Sequence, residues 1–324
     1  MKKNTLFTLI YLLANQFINA QVLFTENFDT YANGDLNPNY DNVTSGQGGW
    51  ITGGSAIGTA KAIIAPETGK GKVLTVLANN SSSIQSVTVH KDINSLWNNR
   101  TSGNNILKLT YEIYGIDNFR SVSGVVANNV PSNILTLVEF NSLTNRILSN
   151  NNNINTTLKD NTTPFPYGTW ITTEMYIDFN TNKVYYYIPT LNILHSATFT
   201  HNLQPVRLNF NTNGVNQQSV VKYDNIELSA IQKLPSIILS TSKQLASKFN
   251  LYPNPVTYIV NITSDENIPV IQAEIYDLSG KLINTQKFNG EIEIQLNLEN
   301  LASGTYMLHM DTKEGTVVKK LIKK

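Results

Sequence analysis

Cleaving a glycosidic bond needs two carboxylates facing each other across it, about 5–5.5 Å apart for retention and about 6.5–9.5 Å for inversion. The best same-face pair in the first two thirds of the chain is Glu174 and Asp178, with Tyr176 between them. Four residues along a strand span ~13 Å, at ~3.3 Å each, too far for either geometry. Glu291 and Glu293 have suitable spacing but lie near the C-terminus. Carboxylates from separate strands can still meet, so a hydrolase or lyase stays open. Nucleophilic and metal chemistry find less. His90, His195, His201 and His309 are scattered, without the i, i+4 spacing of a zinc protease helix. No Gly-x-Ser-x-Gly elbow occurs. Gly53-Gly54 and Gly69-Lys70-Gly71 are turn material and make no phosphate loop.

Sugar binding asks for other side chains. A ring stacks on the apolar face of a pyranose while amides and carboxylates bond its hydroxyls. Trp50, Trp97, Trp170, Tyr111, Tyr176 and Tyr186 supply rings. Trp97 stands in the polar run Asn94-Ser-Leu-Trp-Asn-Asn99. Tyr186 must point away from Tyr185 and Tyr187 if the three share a strand. Trp97, Tyr186 and Trp50 are the expected ligand-facing rings. The competing expectation is that each fills a core.

Short strands must position these groups. Alternation or β-rich composition marks 22–28, 72–78, 85–90, 106–114, 121–127, 134–140, 170–179, 183–188, 193–199, 206–210 and 220–228. Asn180-Thr-Asn182 reads as a hairpin link, and the run 150–155 as an asparagine-rich loop. No long amphipathic helix and no 20–50-residue repeat is evident. The pattern predicts an all-β chain: a two-sheet jelly roll over 21–230, a polar linker over 231–248, and a small immunoglobulin-like β-sandwich over 249–324.

Composition agrees. The chain has 324 residues, 41% hydrophobic and 15% charged, which excludes disorder by composition. A net charge of +1 provides no basic field for nucleic acid. Without cysteine there are no disulfides, thiolate zinc sites or lipid-modified cysteine. Residues 1–20 carry Lys2-Lys3, an apolar run from Leu6 to Leu13 and Ala20 before Gln21, the three parts of a secretory signal peptide. The run is too short for a membrane span, so no transmembrane anchor is expected after cleavage.

The C-terminal part opens on Phe249-Asn250-Leu251-Tyr252-Pro253-Asn254-Pro255-Val256. Its two prolines fix φ and push Tyr252 and Asn254 towards extended conformations. Leu251 and Tyr252 are available to plug a core. Short strands follow, with Ser279-Gly280-Lys281 as a turn and Ile292, Ile294, Leu296 and Leu298 on one face. Tyr252-Pro253-Asn254-Pro255, Asp277 with Gly280-Lys281, Gly304 with Tyr306, and the terminal Val-Val-Lys-Lys-Leu-Ile-Lys-Lys resemble the type A C-terminal sorting domain of the type IX secretion system of Bacteroidota. Thr257-Tyr258 departs from the polar residue that commonly follows Pro-Val there. The resemblance implies passage through the periplasm, recognition by the outer-membrane translocon, cleavage by a sortase-like protease, and an extracellular or surface location.

The preceding part resembles concanavalin A-like and laminin G-like carbohydrate-binding jelly rolls. The concanavalin A-like matches are Glu26-Asn-Phe-Asp29, Gly48-Gly-Trp50, Gly71-Lys-Val-Leu74 and Tyr223-Asp-Asn-Ile-Glu-Leu228, and the laminin G-like one is Trp170 opening a strand that ends Tyr176-Ile-Asp178. The Glu-x-Asp-x-x-Glu cluster of laminarinase-like relatives is missing. Such jelly rolls often hold a structural calcium ion between first and last strands, which implies Asp29 or Glu26 with Asp224 as ligands here. The expectation is a non-catalytic glycan-binding module. A polysaccharide-degrading enzyme and a structural adhesin are the alternatives.

Overall fold

The computed structural model describes residues 20–54, 61–80, 85–127, 134–151, 154–162, 165–199, 203–214, 217–235, 238, 245–277, 281–312 and 314–324. Residues 1–19 of the expected signal peptide, His201, residues 236–237 and 239–244 of the linker and the expected turn at Gly280 lie outside them.

The first sandwich contains β1 (Gln21–Glu26), β2 (Gly34–Asp35), β3 (Ile51–Gly54), β4 (Lys61–Glu67), β5 (Gly71–Ala78), β6 (Gln85–Asp92), α1 (Asn94–Asn98), β7 (Ile106–Gly115), β8 (Arg120–Ala127), β9 (Ile134–Asn141), β10 (Arg146–Asn151), β11 (Ile154–Lys159), β12 (Trp170–Asp178), β13 (Lys183–Ile188), β14 (Ile193–Thr198), β15 (Pro205–Gly214) and β16 (Ser219–Ile231). A nine-stranded sheet runs β14-β13-β12-β7-β16-β5-β4-β2, with β1 also on β16. A seven-stranded sheet runs β11-β10-β9-β8-β15-β6-β3. Neighbours in sequence cross between sheets, as β5 to β6, β7 to β8 and β15 to β16 do, giving a jelly roll. Strand β16 pairs with β7 along one side, and with β5 and then β1 along the other.

The layers exist because each strand alternates. In β15, Leu208 and Phe210 are fully buried, while Arg207, Asn209, Asn211 and Asn213 face the other way. Phe210 meets Trp50, Tyr111 and Tyr223 at centroid distances of 6.0, 5.4 and 5.0 Å. The buried tyrosine hydroxyls are satisfied inside: Tyr111 by Ser123 at 2.7 Å, Tyr223 by Ser121, and Tyr186 by Thr136 at 2.5 Å and by Asn151. The β12–β13 link is closed by Asp178, which accepts Asn180 N and the Thr181 hydroxyl, both at 2.8 Å, while Asn182 takes φ 54°. The expected asparagine-rich loop is instead the β10–β11 hairpin, with Asn150 Nδ2 donating to Asn155 Oδ1 at 2.8 Å. Pairing with β9 overrides the weak strand propensity of its residues.

The second sandwich contains β17 (Phe249–Tyr252), β18 (Ile259–Ser264), β19 (Val270–Tyr276), β20 (Leu282–Glu291), β21 (Glu293–Asn297), β22 (Gly304–Thr312) and β23 (Gly315–Lys323). Sheet β17-β18-β21 faces sheet β20-β19-β22-β23 over Phe249, Val256, Val260, Ile262, Ile275 and Leu308. Two expectations are corrected. Tyr252 is 51% exposed while Leu251 packs on the core, and Ile292 is 44% exposed at the junction between β20 and β21. The two sandwiches touch where Thr316 N donates to the Ser196 hydroxyl at 3.2 Å, and where Lys183 Nζ lies 3.4 Å from His309 Nδ1.

Candidate functional site

The expected ring platforms are inside. Trp50, Trp97 and Tyr186 are 0%, 1% and 0% exposed. Trp50 packs between Phe24 and Phe28 and turns its Nε1 to Glu26 at 3.3 Å. Trp97 packs on Phe179 beneath the Arg100 guanidinium. Tyr186 does point away from its neighbours, but into the core. No face of these rings is open to a sugar. Tyr111 and Tyr176 are buried too; Trp170 is half-buried beside Tyr114, with Lys70 Nζ 4.7 Å from its ring centre. Glu174 accepts the Tyr176 hydroxyl and pairs with Lys108 at 3.7 Å, while Asp178 holds its hairpin.

The expected calcium ligands divide. Glu26 turns inward: one oxygen accepts Phe28 N at 2.8 Å, and the other takes the Tyr31 hydroxyl and the Trp50 Nε1–H. Asp29 accepts Lys72 N at 2.8 Å and Asn27 Nδ2 at 3.0 Å. Asp224 is buried in the β16 bulge, and its Oδ1 has no partner among the described residues. Burial pushes its carboxyl up to about 6, with Glu112 and Asp29 adding to the rise against Lys70 and the Asn225 backbone. The cation at this spot is Lys70, 3.9 Å from Asp224 Oδ2 and bonded to Glu112, which also accepts Asn225 Nδ2 at 2.5 Å. Calcium takes six to eight oxygens. Among the described residues no three histidines or carboxylates gather to hold a metal ion, and the Lys70 ammonium stands beside Asp224. The donor set does not fit calcium.

The outward face of the seven-stranded sheet is different. Every outward residue of β15 from 207 to 213 is arginine or asparagine. Their cross-strand partners on β6 are polar as well: Asp92 opposite Arg207, His90 opposite Asn209, Thr88 opposite Asn211 and Ser86 opposite Asn213. The result is a polar stripe two strands wide and ~20 Å long. On the far side of β15, Gly124 lies opposite Asn209 and Val122 opposite Asn211. A side chain at Gly124, where φ is 148°, would meet the Thr136 carbonyl oxygen at 2.4 Å, so glycine lets β8 and β9 close beside the stripe. On the near side, the loop before β3 brings Asn42, at φ 62°, over Gly53, and its Oδ1 accepts the Thr88 hydroxyl at 3.2 Å.

This stripe is not satisfied internally. Asn209 Oδ1, Asn211 Oδ1 and Arg207 Nε are buried atoms with no hydrogen-bond partner among the described residues. Each such group costs about 1–3 kcal/mol. His90 is 6% exposed, and burial with the nearby Arg207 charge holds its imidazole down at about 4, neutral at ordinary pH. Asparagine is depleted in strands, so three at alternate positions of an interior strand were the signal available in the sequence.

The expected sorting residues hold the second sandwich together. Asn254 Oδ1 accepts Ile322 N at 2.9 Å and its Nδ2 donates to Lys320 O at 2.8 Å. Val256 N donates to Ile322 O at 2.8 Å. Pro253 and Pro255 flank that clamp. Asp277 Oδ1 accepts Lys281 N at 3.0 Å, across the turn. Gly304 opens β22, and the Tyr306 hydroxyl donates to Ala302 O at 2.9 Å.

The architecture is therefore a jelly roll followed by a small sandwich, and comparison with known proteins identifies the second part. Residues 250–324 are a secretion system C-terminal sorting domain. Such a domain implies export by the type IX system to the cell surface or beyond. No curated protein sequence matches the chain. Solved structures with some likeness include a sialidase (10% identity, TM-score 0.41), the binding domain of botulinum neurotoxin DC in complex with SialylT (8%, 0.37), and the CBM2 module of the evolved Dit of Lactobacillus casei BL23 phage J-1 (9%, 0.43). They cover 60%, 79% and 67% of this chain, which in turn spans 19%, 66% and 98% of theirs. Among the described residues no helix is long and apolar enough to cross a membrane.

Proposed function

We propose that this is a secreted or surface-held glycan-binding protein, with the polymer lying along the stripe of β6 and β15. The observation that carries the reading is the run Arg207, Asn209 and Asn211, whose buried polar atoms have no partner among the described residues. A sugar hydroxyl both donates and accepts, and an asparagine amide offers both functions. Glu139 beside the stripe and one oxygen of Asp92 within it are engaged in the fold. Glu139 is gripped by Arg120 at 2.9 and 3.0 Å, and Asp92 accepts Asn94 N at 2.9 Å. That supports binding over bond cleavage. In this reading the sorting domain brings the module to the translocon, a sortase-like protease removes it, and the module works outside the cell.

The test is affinity electrophoresis of the mature chain through gels containing single polysaccharides. Retardation by at least one polymer, lost in Asn209→Ala/Asn211→Ala, is expected. Free migration in every gel, or retardation unchanged in that variant, overturns the stripe as the site.

A further inference from the structure

Two arginines on the outward face of this sheet stand in opposite situations. Arg120 gives its Nε and Nη2 to the two oxygens of Glu139, in the two-pronged pairing that suits a carboxylate. Arg207 has no such partner. Its Nε is buried without an acceptor, and it forms no ion pair among the described residues. Asp92, directly opposite, is exposed and turns an oxygen to the backbone at Asn94 instead. His90, the next residue along on β6 that faces outward, carries no charge at neutral pH. Arg207 is thus a partly desolvated cation with an idle donor fork, at one end of a row of asparagine amides. Burial pulls its guanidinium below the ordinary arginine value and the charge of Asp92 only partly opposes that, and guanidinium matches a planar carboxylate in shape and charge.

We infer that Arg207 reads a carboxylate, and that the preferred ligand of the stripe is an acidic polysaccharide built from uronic acids. This rests on the glycan-binding reading above and narrows it. The asparagines contact hydroxyls, which every polysaccharide offers. Arg207 contacts the group that separates uronates from neutral sugars. Arg120, already bound to Glu139, takes no part.

The experiment compares polygalacturonate with its fully methyl-esterified form, and with a neutral β-glucan, in affinity gels run on the same protein. The acid and the ester share a backbone and differ in the carboxylate charge. Retardation at least tenfold stronger by the acid is expected. Arg207→Gln should bring acid and ester to the same weak retardation, Arg207→Lys should recover only part of the difference, and Arg120→Gln should leave it intact. Melting curves of each variant confirm that it is folded, and the acid–ester comparison on the unaltered protein stands without any variant. Equal retardation by acid and ester, or retardation by the β-glucan alone, overturns the uronate assignment and leaves glycan binding standing. Retardation by the acid that Arg120→Gln weakens as much as Arg207→Gln overturns the assignment to Arg207. No retardation by any of the three polymers overturns the uronate inference, and repeating the run with the wider polysaccharide panel decides the broader reading.

Discussion

Asn254, in the Pro-Asn-Pro segment, holds Ile322 in the last strand through a 2.9 Å bond to the Ile322 amide, with a second bond from its Nδ2 to Lys320 O. The opening motif and the closing strand of the sorting domain are thus one structural unit. Asn254→Ala removes both bonds at an exposed position, each worth about 0.5–1.5 kcal/mol. The expected result is a loss of about 1–2 kcal/mol, earlier cleavage at β23 in limited proteolysis, and lower export. Asn254→Asp keeps the acceptor for Ile322 and should lose less. Equal melting of Asn254→Ala and the parent removes this account of the motif.

Asn209→Ala/Asn211→Ala should separate binding from stability. Both oxygens are unsatisfied in the fold, so truncation removes a burden as well as some packing. Urea unfolding within about 1 kcal/mol of the parent is expected, together with a loss of about tenfold or more in affinity, or ~1.4 kcal/mol. A large drop in stability would instead mark these residues as structural.

Tyr186→Phe should do the reverse. It leaves Thr136 and Asn151 without the buried hydroxyl that joins them. A cost of about 1–3 kcal/mol follows from the unpaired groups. Polysaccharide retardation should be unchanged, since the ring never reaches the surface. A selective loss of binding in a stable Tyr186→Phe would restore the ring as a platform.

Acid should weaken the fold through two histidines. His90 and His309 titrate at about 4 when folded against 6.5 ordinarily, His90 mainly through burial with Arg207 nearby and His309 mainly through burial with Lys183 nearby. Asp92 partly opposes the shift at His90. A depressed histidine contributes fully above 6.5 and loses that contribution as pH falls through 4, because the unfolded chain takes the proton first. The slope is at most ~1.4 kcal/mol per pH unit for each. Asp224 works in the opposite sense: raised to about 6, its contribution is present below 3.8 and lost as pH rises through 6. Urea unfolding between pH 7 and 4 should be steeper in the parent than in His90→Gln/His309→Gln. Parallel slopes would dismiss both histidines.

Asp224→Asn gives a second reading of the carboxylate beside Lys70. Removing a buried acid held up at about 6 should stabilise by about 1–2 kcal/mol near pH 7.5 and have no effect near pH 4. Calcium and chelator should leave the melting temperature of the parent unchanged. A chelator-induced fall that Asp224→Asn abolishes would reinstate the metal clip.

The sandwich was legible because alternation is local. The strands around Tyr176, Tyr186 and Leu208 need only their own residues to declare two faces. Which face is inside is a long-range matter, set by what packs across: Tyr186 alternates with Tyr185 and Tyr187 as expected, but its face is the buried one. Trp97 was misplaced for a related reason. Its neighbours Asn94, Ser95, Asn98 and Asn99 are polar, yet five residues of helix turn the indole under Arg100 and onto Phe179. The stripe is not legible as a unit because its residues sit on two strands more than a hundred positions apart, and only the pairing of β6 with β15 brings them together. The sorting domain was the most legible part, since its motif residues clamp one another within 75 residues.

Strand β16 is bonded to β7 on one flank and to β5 and β1 on the other, and it leads out of the jelly roll at Ile231 towards the sorting domain. Tension applied to the chain from that end runs along the axis of β16, parallel to the strands and across its hydrogen bonds on both flanks. Those bonds are strained together in shear and cannot be opened one at a time like a zipper.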